Sequence, residues 1–161
     1  MSNEDKTPDD STPAVLVAAP KLSKVEEIQA RREAKREALE AQKEEQRAID
    51  LEALEALEDE HGINNIVWMD LPYTPGLVSL VAAKCPTPAY MKRYRDMCKT
   101  KNEKHPDYIA AAEMLAAVCR VYPPEQDDYK KVLDARPGVH VQLGVAAMKL
   151  GSGREQDESK S

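Results

Sequence analysis

The chain has 161 residues, 32% of them charged, a formal net charge of −6, and only seven aromatic residues, none of them Phe. That leaves room for one ordinary domain plus tails and argues against a large core. No apolar run approaches the roughly 20 residues needed to cross a bilayer, and "AVLVAA" is too short for a signal peptide and lacks its cationic approach, so no membrane role is expected.

The acidity is uneven. Residues 1 to 20 carry one base and four acids, residues 21 to 60 eight and thirteen, and residues 61 to 161 fourteen and twelve. The opening "MSNEDKTPDDSTP" is polar and proline-bearing, so residues 1–22 are expected to form a disordered acidic tail.

Ser23 can cap a helix, with Glu26 completing a capping box, and Gly62 is a suitable stop. Residues 23–62 are therefore expected to form one long charged helix. Its best heptad track reads Val25, Ile28, Arg32, Lys35, Leu39, Gln42, Gln46, Ile49, Ala53. Four of those nine positions are charged or amide, which is not the sustained seam of a coiled coil. Leucines at 51, 54 and 57 make the C-terminal turns the part expected to dock, and the rest is read as solvated or as a partner-binding face.

From Ile63 the chain turns β-branched. Ile66 to Met69 and Leu77 to Ala82 are candidate strands about "PYTPG", which predicts a two-stranded hairpin that must pack on helices or pair with another chain. Thr87–Pro88 opens a helix with Tyr90, Met91, Tyr94, Met97 and Cys98 on one face and Lys92, Arg93, Arg95 and Lys99 off it. The next helix runs from about Asp107 to Val121, Pro123 and Pro124 break it, and a short helix reaches Ala135. Glu125, Asp127 and Asp128 sit in that helix's first turn, where acids favour the dipole. Pro137–Gly138 opens a final helix ending at Gly151. It carries one stripe of Val139, Leu143, Ala146, Ala147 and Leu150 and a second, opposite, of Val141, Val145 and Met148. A helix apolar on both sides is normally buried on both. One stripe is free for a partner if the domain, residues 63–151, is too small to cover both. Residues 152–161 read as a second disordered tail.

Little points to chemistry. His61, His105 and His140 lie far apart, with no HxxxH, no CxxC and no acid placed as co-ligand, so no metal site is expected. The odd set of Cys85, Cys98 and Cys119 cannot all pair within the chain, which fits a reducing cytoplasm, and these cysteines fall where cysteine acts as a small hydrophobe. No phosphate loop, nucleophile elbow or dinucleotide fingerprint occurs. No catalytic residue, cofactor or enzymatic activity is expected. The segment Lys84 to Lys104 holds seven bases against two acids, so a nucleic-acid surface on helix 88–101 is one reading. Its tyrosines lie on the apolar face, which equally suits an acidic protein partner, including this chain's own "DLEALEALEDE" in a homo-oligomer.

The order "VAAKCPTP", "YMKRYRDMCK", "VCRVYPPE" and "VLDARPGVHVQLGVAAMKLGSG", over about residues 75–151, resembles the tail assembly chaperones of long-tailed bacteriophages. The long charged helix is a departure from that family. The resemblance implies a small, mainly α protein working in the host cytoplasm during virion assembly, binding the tape-measure protein and helping to recruit tail-tube subunits. The contacts expected under it are Val141, Val145 and Met148, with electrostatic help from Lys92, Arg93, Arg95 and Lys99. The alternative is a structural virion or nucleic-acid-associated protein using the basic helix. The fold expected is mainly α: about four helices and a hairpin, preceded by the charged helix and flanked by disordered tails.

Overall fold

The computed structural model describes residues 23–99 and 107–159. The fold is mainly α. Five helices are described, α1 (Lys24–His61), α2 (Pro88–Cys98), α3 (Tyr108–Cys119), α4 (Gln126–Ala135) and α5 (Gly138–Ser159), with strands β1 (Ile66–Asp70), β2 (Leu80–Lys84) and β3 (Arg120–Tyr122). The expected tail at 1–22, His105 and the end of the basic segment lie outside the described residues. So do the last two positions of the expected C-terminal tail.

The chain divides inside α1, into one unit ending at Glu37 and a second from Ala38 onward. In the first, the Ser23 amide donates to the Glu26 carboxylate at 2.8 Å and the Glu26 amide to the Ser23 hydroxyl at 3.3 Å. This is the capping box expected from the residues, and every described residue of this unit is exposed.

In the second unit the hairpin expected from the sequence is part of a three-stranded antiparallel sheet of order β1-β2-β3. Ile66 pairs with Lys84 and Asp70 with Leu80, and Ala82 pairs with Tyr122. The third strand is hidden in the sequence because Val118, Cys119 and Tyr122 continue the α3 stripe. The helix in fact stops at Cys119, and Arg120–Tyr122 turns extended to complete the sheet. β2 also begins at Leu80, not Leu77. Residues 71–79 bridge to it, with Gly76 in the left-handed region at φ 79° that favours glycine.

Strand alternation sorts the side chains to two faces. Ile66, Leu80, Ala82 and Tyr122 pack with Leu54 from the last turns of α1, so the compact unit includes half of the helix that the sequence placed outside the domain. On the other face Val81 and Ala83 join Met91, Leu115, Ala116, Cys119, Tyr129, Val132, Val139, Leu143 and Ala147. Each fully buried Leu or Val there contributes about 1.5 to 3 kcal/mol relative to exposure.

The α5 helix runs against α3, and small residues let it come close. Ala111, Ala112 and Ala116 of α3 are buried, and a Cβ built on Gly144 would lie 1.8 Å from the Ala112 carbonyl oxygen. Gly151 is not the stop expected. The helix continues to Ser159, and Gly151 is buried where a Cβ would stand 2.8 Å from Met91 Sδ and 3.3 Å from Pro86. This glycine is placed for close packing within a helix, which overrides its usual capping role, and residues 152–159 are helical.

Candidate functional site

The most enclosed polar group in the second unit is Asp50, fully buried on α1. Its Oδ1 accepts from the Tyr122 hydroxyl at 2.6 Å and from Gln46 Nε2 at 2.9 Å, and its Oδ2 accepts from the Ser79 amide at 2.5 Å. One carboxylate thus ties α1 to β3 and to the approach to β2. Burial, reinforced by the neighbouring Asp50, pushes the Tyr122 phenol well above its ordinary value, so it stays a donor. Ser79 Oγ is buried beside the carboxylate without a hydrogen-bond partner among the described residues. A cleft of about 230 Å³ lies alongside, lined by Gln46, Gly76, Leu77, Val78, Tyr122 and Asp128. That is below the roughly 300 to 1,000 Å³ typical of small-molecule sites. Neither described histidine reaches Ser79 or Asp50 through a hydrogen bond. His61 ends α1 beside Glu60 at 3.8 Å, and His140 Nδ1 meets the Tyr129 hydroxyl at 2.8 Å. The arrangement holds a helix on a sheet.

Sequence reasoning missed this node. Asp50 reads as one more acid in "DLEALEALEDE", and only its spacing to Leu54 and Leu57, on the docking side of the helix, could have marked it as inward-facing.

A second polar cluster joins β3, α4 and α5. Arg120 stacks over the Tyr129 ring at 4.8 Å, donates to Gln126 Oε1 at 2.8 Å and reaches the Pro123 carbonyl. Burial pushes the Tyr129 phenol up to about 12 against the opposing pull of Arg120. Burial also lowers the His140 value, with Glu113 acting in the opposite sense and Arg120 in the same one. Burial raises the Cys119 thiol to about 11, which leaves it the inert core thiol that its place in the α3 stripe implies.

The sequence-derived contact residues fall in two classes. Lys92, Arg93 and Arg95 of α2 and Lys99 at its C-terminal cap are all exposed. Val141, Val145 and Met148 are half-buried, and Met148 packs against the main core. The structure brings α2 and the end of α5 together at Met91 and Gly151, one position from Lys92 and three from Met148, whereas Val141 lies about two further turns back along α5. The second stripe of α5 is thus partly covered within the domain, with Met148 against the main core. Large exposed apolar side chains concentrate instead on α1: Leu39, Ile49 (54% exposed) and Leu51 in the second unit, and Val25 and Ile28 in the first.

Among the described residues no group of three or more His, Cys, Asp or Glu side chains could hold a metal ion. None of the described helices is long and apolar enough to cross a membrane. The class that the fold defines is a mainly α domain built around a small antiparallel sheet. No family model matches the chain, and no curated protein or solved structure was found similar to it.

Proposed function

We propose that the protein is a non-enzymatic tail assembly chaperone that binds a tape-measure protein in the host cytoplasm and helps recruit tail-tube subunits. The observation that carries this reading is α1. It is a helix of 38 residues of which only Asp50 and Leu54 are buried. In the compact unit it presents Leu39 and Ile49 to solvent, ten residues apart on one heptad track. Side chains so spaced suit an amphipathic partner helix laid along them, and the flanking charges would set register reversibly. The cationic face of α2 offers a further contact for an acidic segment. Val141, Val145 and Met148 are shallower contributors in this scheme because they are already half-covered.

The test is coexpression of the full chain with the tape-measure protein encoded immediately downstream, followed by copurification. The wild type should retain the partner, and Leu39→Asp with Ile49→Asp should release it. Retention by that double variant would move the contact off α1. Absence of a very long helical reading frame downstream would remove the reading itself. The exposed bases of α2 favour one other reading, a nucleic-acid-associated protein. Binding of duplex DNA that weakens steeply with salt would select it.

A further inference from the structure

The compact unit carries its two charge excesses on opposite faces of the sheet. Residues 38–60 of α1 hold nine acids and two bases, and residues 88–99 hold four bases and one acid. α1 covers the face of Ile66, Leu80, Ala82 and Tyr122, whereas α2 enters the core on the other face through Met91. At about 100° per residue, Asp50 and Leu54 mark the side of α1 that meets the sheet. Glu45, Glu52 and Asp59 recur every seven residues on the opposite side, and all three are exposed. The two bases of this stretch are turned toward the sheet. Arg47 stacks over Trp68 at 5.7 Å and pairs with Asp70, and Lys43 lines a cleft with Arg47 and Asp70. No base therefore interrupts the outward row. On the other side of the molecule Lys92 and Lys99 are also exposed and seven residues apart, flanked by Arg93 and Arg95.

We infer that the acidic row of α1 docks the basic row of α2 from a second copy, so that copies associate head to tail. The signs are opposite and the pitch is shared. Seven residues of helix span about 10 Å in each row, so Lys92 and Lys99 can meet Glu52 and Asp59 at the same time. Small exposed residues beside the rows, Ala48 and Ala56 on α1 and Ala89 on α2, let the two helices come close. The rows of one chain cannot meet, because the sheet stands between them. Each copy therefore offers one row of each sign, and the contact is heterologous. It leaves an acidic row free at one end and a basic row at the other, and so it repeats. The net charge of −6 opposes association at long range, which puts the whole burden on this local match. A nucleic acid would also suit the basic row, but it would leave the acidic row uncovered, whereas one contact between copies satisfies both.

The test uses the full chain alone, by sedimentation velocity at low salt. The average mass should climb past that of a dimer as concentration rises, and should fall back to monomer near 1 M salt, where charge interactions reach only about 3 Å. Lys92→Glu with Lys99→Glu makes both rows acidic, and Glu52→Lys with Asp59→Lys makes both basic. Each double variant should stay monomeric where the wild type associates. Mixing the two should restore association, because every contact then joins opposite signs, and so should all four changes in one chain. A wild type that stays monomeric at every concentration overturns the inference, as does growth that ends at a dimer. So does a Lys92→Glu, Lys99→Glu protein that associates as well as the wild type. Association that disappears on nuclease treatment assigns the basic row to nucleic acid and overturns it too. Should the reversed variants fail to fold, the salt dependence of the wild type decides, since association that survives near 1 M salt is not carried by these charges.

Discussion

The two longest helices, α1 and α5, are used in opposite ways. α1, 38 residues and mostly charged, buries Asp50 and Leu54. α5, 22 residues long, buries Val139, Leu143, Gly144, Ala147 and Gly151 in its first four turns. What separates them is the distribution of small and apolar residues around the helix. Pairs such as Lys43 with Glu40 at 3.7 Å suit a solvated helix with weak local support. A glycine at the point of closest approach commits the other helix to a tightly packed neighbour.

The contrast can be broken most sharply at Gly144. Gly144→Ala is expected to cost more than about 3 kcal/mol, at or beyond the upper end of ordinary overpacking. The reason is that the added carbon would overlap the Ala112 carbonyl. Gly153→Ala on the same helix meets nothing within 4 Å, and should be neutral or stabilise by up to about 1 kcal/mol through helix propensity. Urea midpoints for the two variants check both. On α1 the corresponding weak point is Asp50. Asp50→Ala would leave the Tyr122 hydroxyl and the Ser79 amide unpaired in the interior, at about 1 to 3 kcal/mol each. Thermal denaturation should show a large drop in melting temperature, and Tyr122→Phe a smaller one. Smallest of all should be Leu39→Asp and Ile49→Asp, each within about 0.5 kcal/mol of the wild type, because both side chains stand in solvent. A large loss in either would mean that this part of α1 is covered after all.

Much of the fold was legible because local signals were strong. The Ser23–Glu26 box, the Thr87 cap, whose hydroxyl accepts from the Tyr90 amide at 3.3 Å, and the break at Pro123 and Pro124 each act within a few residues. What was hidden depends on distant partners. Arg120–Tyr122 is a strand only because β2 offers an edge to it, and Asp50 is inward-facing only because Tyr122, 72 positions away, donates to it. Gly151 looked like a stop because a glycine for close packing and a glycine for capping read alike in a sequence. Of the candidate contacts, the exposed bases of α2 were legible from helical spacing. The half-burial of Val145 and Met148 was not, since it depends on how α5 packs against elements distant in the chain.

The contact at Gly144 also constrains which sequences can share this fold. The atom nearest to an added Cβ belongs to the backbone of residue 112, and every amino acid has that carbonyl. No replacement at position 112 can therefore compensate for a larger residue at 144, as it could if two side chains collided. Suppressors of Gly144→Ala should instead map to residues that set the distance between α3 and α5, such as Leu115 and Leu143. Among homologues, position 144 is expected to stay glycine even where position 112 drifts.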